Sequence, residues 1–195
     1  MSSRAVIGIV ACALIAVVVV VLVTRDEDEN VGYPESELSV EEATEPLPDA
    51  PPELRAIRAD ANQVLDGGLD AFDERLGELE GTPVVINKWA SWCGPCIYEF
   101  PHFQAAAAER GGEVAFLGVD FDDGNEAAAT FLSRLPVPFP SYADPDGEIS
   151  KSLEANYPPT TVFVDADGEI AYRKIGPYES TDELLADIDR YAAPQ

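Results

Sequence analysis

The chain has little positive charge and few of the side chains that bind metals or build disulfide frameworks. Its 195 residues include 12 Lys and Arg against 37 Asp and Glu, with one His, three Cys and one Met, and the formal net charge is −25. Nucleic-acid binding needs clustered Lys and Arg, so this composition argues against it. Three cysteines are too few for a disulfide scaffold. The sequence shows no fixed period, which excludes collagen and coiled-coil architectures.

What is present is a globular composition and one long apolar run. Hydrophobic residues make up 46% of the chain and charged residues 25%, and the length suits one domain with appendages. Residues 5–23 carry no charge and, at about 1.5 Å per residue, can span a hydrocarbon core of roughly 30 Å. We predict an uncleaved transmembrane anchor there, after a short flank at residues 1–4. A cleaved signal peptide, or a lipoprotein site at Cys12, is the alternative.

Residues 24–52 are acidic and rich in proline. Such a composition lacks the apolar content to bury a core, so it predicts a disordered, extended linker. The folded domain is predicted at residues 53–195. Because the short flank before the apolar run carries Arg4, we expect the amino terminus inside the cell and the domain outside it. The prolines of the linker are Pro34, Pro46, Pro48, Pro51 and Pro52.

Hydrophobic periodicity within residues 53–195 predicts alternating helices and strands. Helical spacing or composition occurs in residues 69–80, 99–110, 125–135, 149–156 and 181–191. Buried strands are predicted at 83–89, 114–119, 161–164 and 170–173, the last two forming a hairpin. This order predicts an α/β fold with a central mixed sheet flanked by helices.

Two cysteines three residues apart follow the first buried strand, in the sequence Trp92-Cys93-Gly94-Pro95-Cys96. At a strand-to-helix junction, unpaired N–H groups of the helix amino terminus stabilise a thiolate at Cys93, and Cys96 lies close enough to form a disulfide with it. A zinc site and a purely structural disulfide are the competing interpretations. The first lacks further Cys and His ligands, and so small a ring restrains the unfolded chain little.

The motifs VVINKWASWCGPCIYEFP, FLGVD and YPPTTVFVDADGEI together resemble the membrane-anchored TlpA/ResA-like branch of thioredoxin-like thiol-disulfide oxidoreductases. The resemblance covers roughly residues 60–192 and implies a thioredoxin-like fold. It implies that Pro159 is a cis-proline that faces the disulfide and helps to hold extended substrate, next to Pro158. Trp92 is expected to flank the active site and contact substrate, and plain packing is the alternative. Glu99, with the dipeptide Gly94-Pro95, is expected to tune the redox chemistry; a solvated helix glutamate is the alternative for Glu99.

The sequence also departs from the family pattern at Pro158, at Lys88 and in the redox dipeptide Gly94-Pro95. Pro158 stands where an aliphatic residue or Thr is usual, and Lys88 replaces a usual Phe. Pro158 has no N–H, so only its carbonyl can pair with a substrate strand. The thioredoxin-type Gly94-Pro95 pair leaves the direction of electron flow open.

The expected function is thiol-disulfide exchange on protein cysteines outside the cytoplasm, with Cys93 as nucleophile and Cys96 as resolving cysteine. The resemblance implies a reductase in cytochrome c or copper-site maturation, fed by a membrane electron donor, with no cofactor beyond the Cys93–Cys96 disulfide and no bound metal. Two alternatives stay open: a peroxiredoxin-like peroxidase, and a non-catalytic module that docks or binds copper through the two thiolates.

Overall fold

The structure is a computed structural model that describes residues 33, 34 and 36–192. Seven helices and six strands are seen within those residues. The helices are α1 Val40–Ala43, α2 Pro52–Ala59, α3 Gly68–Glu78, α4 Gly94–Arg110, α5 Asn125–Arg134, α6 Glu148–Ser152 and α7 Thr181–Tyr191. The strands are β1 Val64–Leu65, β2 Val84–Trp89, β3 Ala115–Phe121, β4 Ser141–Asp144, β5 Thr160–Val164 and β6 Ile170–Ile175.

All six strands form one mixed sheet in the order β1-β4-β3-β2-β5-β6. The first four in that order run parallel, whereas β5 is antiparallel to β2 and to β6. Every residue of β2 and of β5 is buried, because helices and loops cover both faces of the central strands. The predicted α/β fold with a central mixed sheet is therefore confirmed, and it is a thioredoxin-like arrangement.

The close packing of β3 against β4 requires a glycine at position 118. A Cβ there would lie 2.1 Å from Ser141 Oγ and 2.9 Å from the indole nitrogen of Trp89. That space is occupied by a buried hydrogen bond, in which Trp89 Nε1 donates to Ser141 Oγ over 3.0 Å. The bond ties the last residue of β2, just before the cysteines, to β4.

The predicted linker differs from the structure in its second half. Residues 36–51 pack on the domain: Ala43 is fully buried, Gln104 Nε2 donates to Ser36 Oγ over 3.0 Å, and Arg58 Nη1 donates to the carbonyl of Ala43 over 3.2 Å. Ser39 and Glu42 form a capping box for α1. The average composition of residues 24–52 concealed these local signals, so the disorder predicted for 36–52 is wrong.

Other boundaries also differ. The helix predicted at 99–110 begins at Gly94, and β1, β4 and α2 were not predicted. The anchor predicted at residues 5–23 lies outside the described residues. Among the helices of the described range, none has the length and apolar character needed to cross a membrane.

Candidate active site

Cys93 and Cys96 form a disulfide at the amino terminus of α4, with their Cα atoms 5.2 Å apart. Cys93 is the residue that caps the helix, and its sulfur accepts the backbone N–H of Cys96 over 3.3 Å. The first helical residues are Gly94 and Pro95, and Pro95 removes an N–H that has no partner within a first turn. Cys93 is 4% exposed and Cys96 is fully buried. The local geometry supports the predicted stabilisation of a Cys93 thiolate.

The register of β2 and β5 brings the cysteines and the Pro158–Pro159 loop together beyond the carboxyl end of β2. Thr160, which begins β5, pairs with Lys88 near the end of β2, so the residues before Thr160 lie beside those after Lys88. The peptide bond between Pro158 and Pro159 is cis, as the family resemblance implies.

The surroundings of the disulfide expose large apolar side chains. Trp92, which precedes Cys93, is 57% exposed, and its indole N–H donates to the carbonyl of Asp122 over 3.0 Å. Tyr157 is 73% exposed and precedes the two prolines, and Ile175, which pairs with Thr160, is 76% exposed. Apolar side chains that together form a contiguous exposed patch mark contact sites for other molecules. Sequence reasoning identified Trp92 but not Tyr157 or Ile175, since only the β5–β6 register places Ile175 here.

Glu99 is buried beneath the active-site helix rather than solvated, so the alternative of a surface glutamate is wrong. It follows Cys96 by three residues and therefore lies on the same face of α4. Its carboxylate accepts Asn87 Nδ2 at 2.7 Å and the backbone N–H of Tyr178 at 3.1 Å. Burial raises the pKa of Glu99 to about 7, against the opposing effects of these two donors and of the Lys174 charge.

A second buried acid, Asp120, lies at the end of β3, where it pairs with Trp89. It is 3% exposed, and one of its oxygens, Oδ1, has no hydrogen-bond partner among the described residues. Burial, with the charge of Asp123 and a hydrogen bond to it, raises the pKa of Asp120 to about 7. Two carboxyl groups this close cannot both ionise without repulsion.

Asp123 connects this acidic pair to the active-site segment. Its carboxylate accepts both the backbone N–H of Ser91, at 2.6 Å, and the Ser91 hydroxyl, at 2.9 Å. Ser91 lies two residues before Cys93. Sequence reasoning quoted the motif containing Asp120 but assigned neither aspartate a role, because the link to Ser91 depends on how the loop after β3 folds.

In the part of the chain that the structure describes, no three His, Cys, Asp or Glu side chains lie close enough together to hold a metal ion. His102, the single histidine, has its Nδ1 3.2 Å from the hydroxyl of Thr181.

Comparisons with known proteins agree with this geometry. The Redoxin family model matches residues 56–189. The chain is 29% identical over 161 residues to the thiol-disulfide oxidoreductase ResA of Oceanobacillus iheyensis, covering 80% of this chain and 73% of that protein. It is 33% identical over 135 residues to a DsbE homologue, a thiol:disulfide interchange protein of Paracoccus denitrificans, covering 67% and 72%.

A solved structure with a similar fold is that of a secreted Mycobacterium tuberculosis disulfide oxidoreductase homologous to E. coli DsbE. It is 29% identical, with a TM-score of 0.54, over 58% of this chain and 85% of that one. The matched segments contain the Cys93–Cys96 disulfide and the sheet that positions it. The chain belongs to the Redoxin family, as a thioredoxin-fold thiol-disulfide oxidoreductase similar to ResA and DsbE.

Proposed function

We propose that the domain reduces disulfides of protein substrates on the outer side of a membrane to which residues 5–23 anchor it. The observation that carries this proposal is the placement of the Cys93–Cys96 disulfide at a helix amino terminus. Trp92, next to Cys93 in the chain, and Tyr157, in the loop that the register brings to the end of β2, are both exposed. An apolar rim of this kind suits an extended protein segment. Similarity to the thiol-disulfide oxidoreductase ResA and to a secreted disulfide oxidoreductase homologous to DsbE supports disulfide exchange outside the cytoplasm.

The reaction begins with the reduced form of the protein. The Cys93 thiolate attacks one sulfur of a substrate disulfide, forming a mixed disulfide and releasing the other substrate sulfur as a thiolate. Cys96 then loses its proton and attacks Cys93 Sγ, which forms the Cys93–Cys96 disulfide and releases the second substrate thiol. Two electrons pass from the protein to the substrate, and a membrane dithiol donor restores the reduced pair.

Glu99 is proposed as the group that accepts the proton of Cys96. It lies on the Cys96 face of α4, and its pKa of about 7 allows it to hold or release a proton near neutral pH. Trp92, Pro158 and Pro159 are assigned to contact with the substrate. Gly94 and Pro95 set the geometry of the ring that the Cys93–Cys96 disulfide closes. The physiological role proposed is cysteine reduction during cytochrome c or copper-site maturation.

The roles of the two cysteines are tested with single serine variants of the full chain. Cys93→Ser should abolish exchange with a protein disulfide, because Cys96, the remaining thiol of the pair, is fully buried and cannot reach the substrate. Cys96→Ser should accumulate a mixed disulfide through Cys93, since attack occurs and nothing resolves it; non-reducing mass spectrometry detects the adduct. An adduct that forms in Cys93→Ser instead would contradict the assignment.

The direction of electron flow and the rival functions are tested on the wild-type chain. A reduction potential near ~−270 mV, as in thioredoxin, would support a reductase, whereas one near ~−120 mV would indicate an oxidant. Rapid consumption of hydrogen peroxide with a thiol donor would favour a peroxidase. Tight Cu(I) binding by the reduced chain, without exchange activity, would favour the copper module.

A further inference from the structure

Lys88 is a fully buried lysine on the strand that leads to the active site. It is 1% exposed and lies in β2, between Asn87 and Trp89. Asn87 donates to Glu99 of α4, and Trp89 packs edge-on against Phe100 of the same helix. Because side chains alternate along a strand, Lys88 points to the opposite face of the sheet. Lys88 has no role in the reaction proposed above.

The surroundings of the ammonium group are largely neutral. Lys88 Nζ donates to the carbonyl of Ala155 over 2.8 Å and lies 3.5 Å from the ring centroid of Phe121. Burial lowers the pKa of Lys88, and the charge of Asp144 opposes this effect. Burying an ammonium group is costly, and a hydrophobic side chain would fill the same space without that cost. What the lysine adds is the hydrogen bond to Ala155, together with the contact of its ammonium group with the Phe121 ring.

Ala155 begins the loop that carries the substrate-contacting residues. The loop is held on its other side by Thr160 Oγ1, which donates to the carbonyl of Tyr157 over 2.6 Å, and by the N–H of Gly176, which donates to the carbonyl of Pro159 over 2.9 Å. These two bonds come from β5 and from the residue after β6. Lys88 adds a tie from β2, the strand that ends at the cysteines.

We propose that Lys88 is a positioning residue for protein substrates. By holding Ala155 against β2, it sets the position of the 155–159 loop relative to the Cys93–Cys96 disulfide. This inference rests on the proposed function, because it assumes that a protein segment binds between the loop and the disulfide. A small disulfide reagent needs only Cys93, so its reaction should not depend on Lys88.

The test compares two substrates in Lys88→Met, which keeps an unbranched chain of similar length and removes the ammonium group. For the full chain acting on insulin, KM should rise about tenfold or more while kcat changes less than twofold, since a hydrogen bond from a charged donor is lost. The rate with 5,5′-dithiobis(2-nitrobenzoic acid) and the pH profile of Cys93 alkylation should stay within twofold of wild type. Lys151→Met, which removes an exposed lysine of α6, is the matched control and should change nothing.

Hydrogen exchange provides a readout that needs no activity. The amides of residues 155–157 should exchange about tenfold faster in Lys88→Met, and those of α4 should not. A folded Lys88→Met chain with unchanged insulin KM and unchanged exchange would overturn the proposal, as would an equal loss with both substrates. If the wild-type chain were inactive on insulin while the loop still exchanged faster in the variant, the proposed function would be contradicted. The conclusion that the Lys88–Ala155 hydrogen bond positions the loop would still hold.

A milder variant covers the case in which Lys88→Met does not fold. Phe121→Leu keeps the lysine and removes the aromatic ring beside its ammonium group. It should raise the insulin KM by about two- to fivefold and speed exchange in the 155–157 loop, again without affecting the small reagent. No change in either measurement would overturn the proposal.

Discussion

Glu99 and Asp120 are both buried next to the strand that leads to the cysteines, and each has its pKa raised to about 7. The physical origins differ. Glu99 sits in a site that supplies two donors, Asn87 Nδ2 and the N–H of Tyr178, so strong desolvation is partly offset. Asp120 has an oxygen without a partner among the described residues and faces the carboxyl of Asp123.

The same raised pKa thus arises in two sites whose neighbouring groups act in opposite directions. At Glu99 the neighbours stabilise the ionised form, and at Asp120 the neighbour opposes it. Both folded pKa values lie above those of the unfolded chain, so the folded state binds more protons between about pH 4 and pH 7. Each group therefore makes the free energy of unfolding fall as pH rises through that window.

The largest effect is expected from Asp120→Asn. The variant removes a carboxyl that ionises, as pH rises, in a buried site beside the Asp123 carboxyl, so its stability relative to wild type should increase by about 2 kcal/mol between pH 5 and pH 8. Urea unfolding at both pH values measures this difference, with the exposed Asp146→Asn as a charge-matched control. A difference that does not change with pH would show that Asp120 is ionised in the folded protein at pH 5.

A smaller effect is expected from Glu99→Gln, which should shift the pH profile of cysteine alkylation by roughly 0.5–1 unit while the fold is kept. The glutamine can donate to Asn87 after the asparagine amide flips and can accept from Tyr178, so both contacts survive. Iodoacetamide labelling of reduced chains across pH, read by mass spectrometry, gives the profile. An unchanged profile would remove Glu99 from the proposed mechanism.

The smallest effects should have opposite signs. Asp123→Asn gives Asp120 a donor in place of a carboxyl, so the pKa of Asp120 should fall by roughly 0.5–1 unit. Asn87→Leu removes a donor from Glu99, whose pKa should rise by a similar amount. Carbon-13 NMR titration of the carboxyl groups measures both. Shifts in the same direction would mean that the two sites do not differ as described.

Sequence patterns predicted the parts of this site that local spacing controls. The resemblance singled out Glu99, and the apolar face of residues 181–191 predicted that helix with the bounds that the structure shows. The hydroxyl of Ser180 caps the helix. The resemblance implied the cis bond before Pro159. Each of these depends on neighbours within a few residues or on a shared motif.

Features created by long-range packing were missed. β4 is short and partly polar, and its burial depends on the place it takes beside β3. Asp120 and Asp123 meet because the loop between them turns at Asp122, which has a φ of 47°. The tie from Lys88 to Ala155 joins residues 67 positions apart. No periodicity in the sequence contains such information.

The two edge strands of the sheet affect how copies of the chain behave in concentrated solution. One edge is β1, which is two residues long, whereas the other is β6, six residues long, with Tyr172 and Ile175 exposed. An open edge of this length is a template for pairing with a second strand. The net charge of −25 repels approaching copies, but the Debye length is only about 10 Å at 0.1 M salt. Added salt should therefore lower the colloidal stability of the protein.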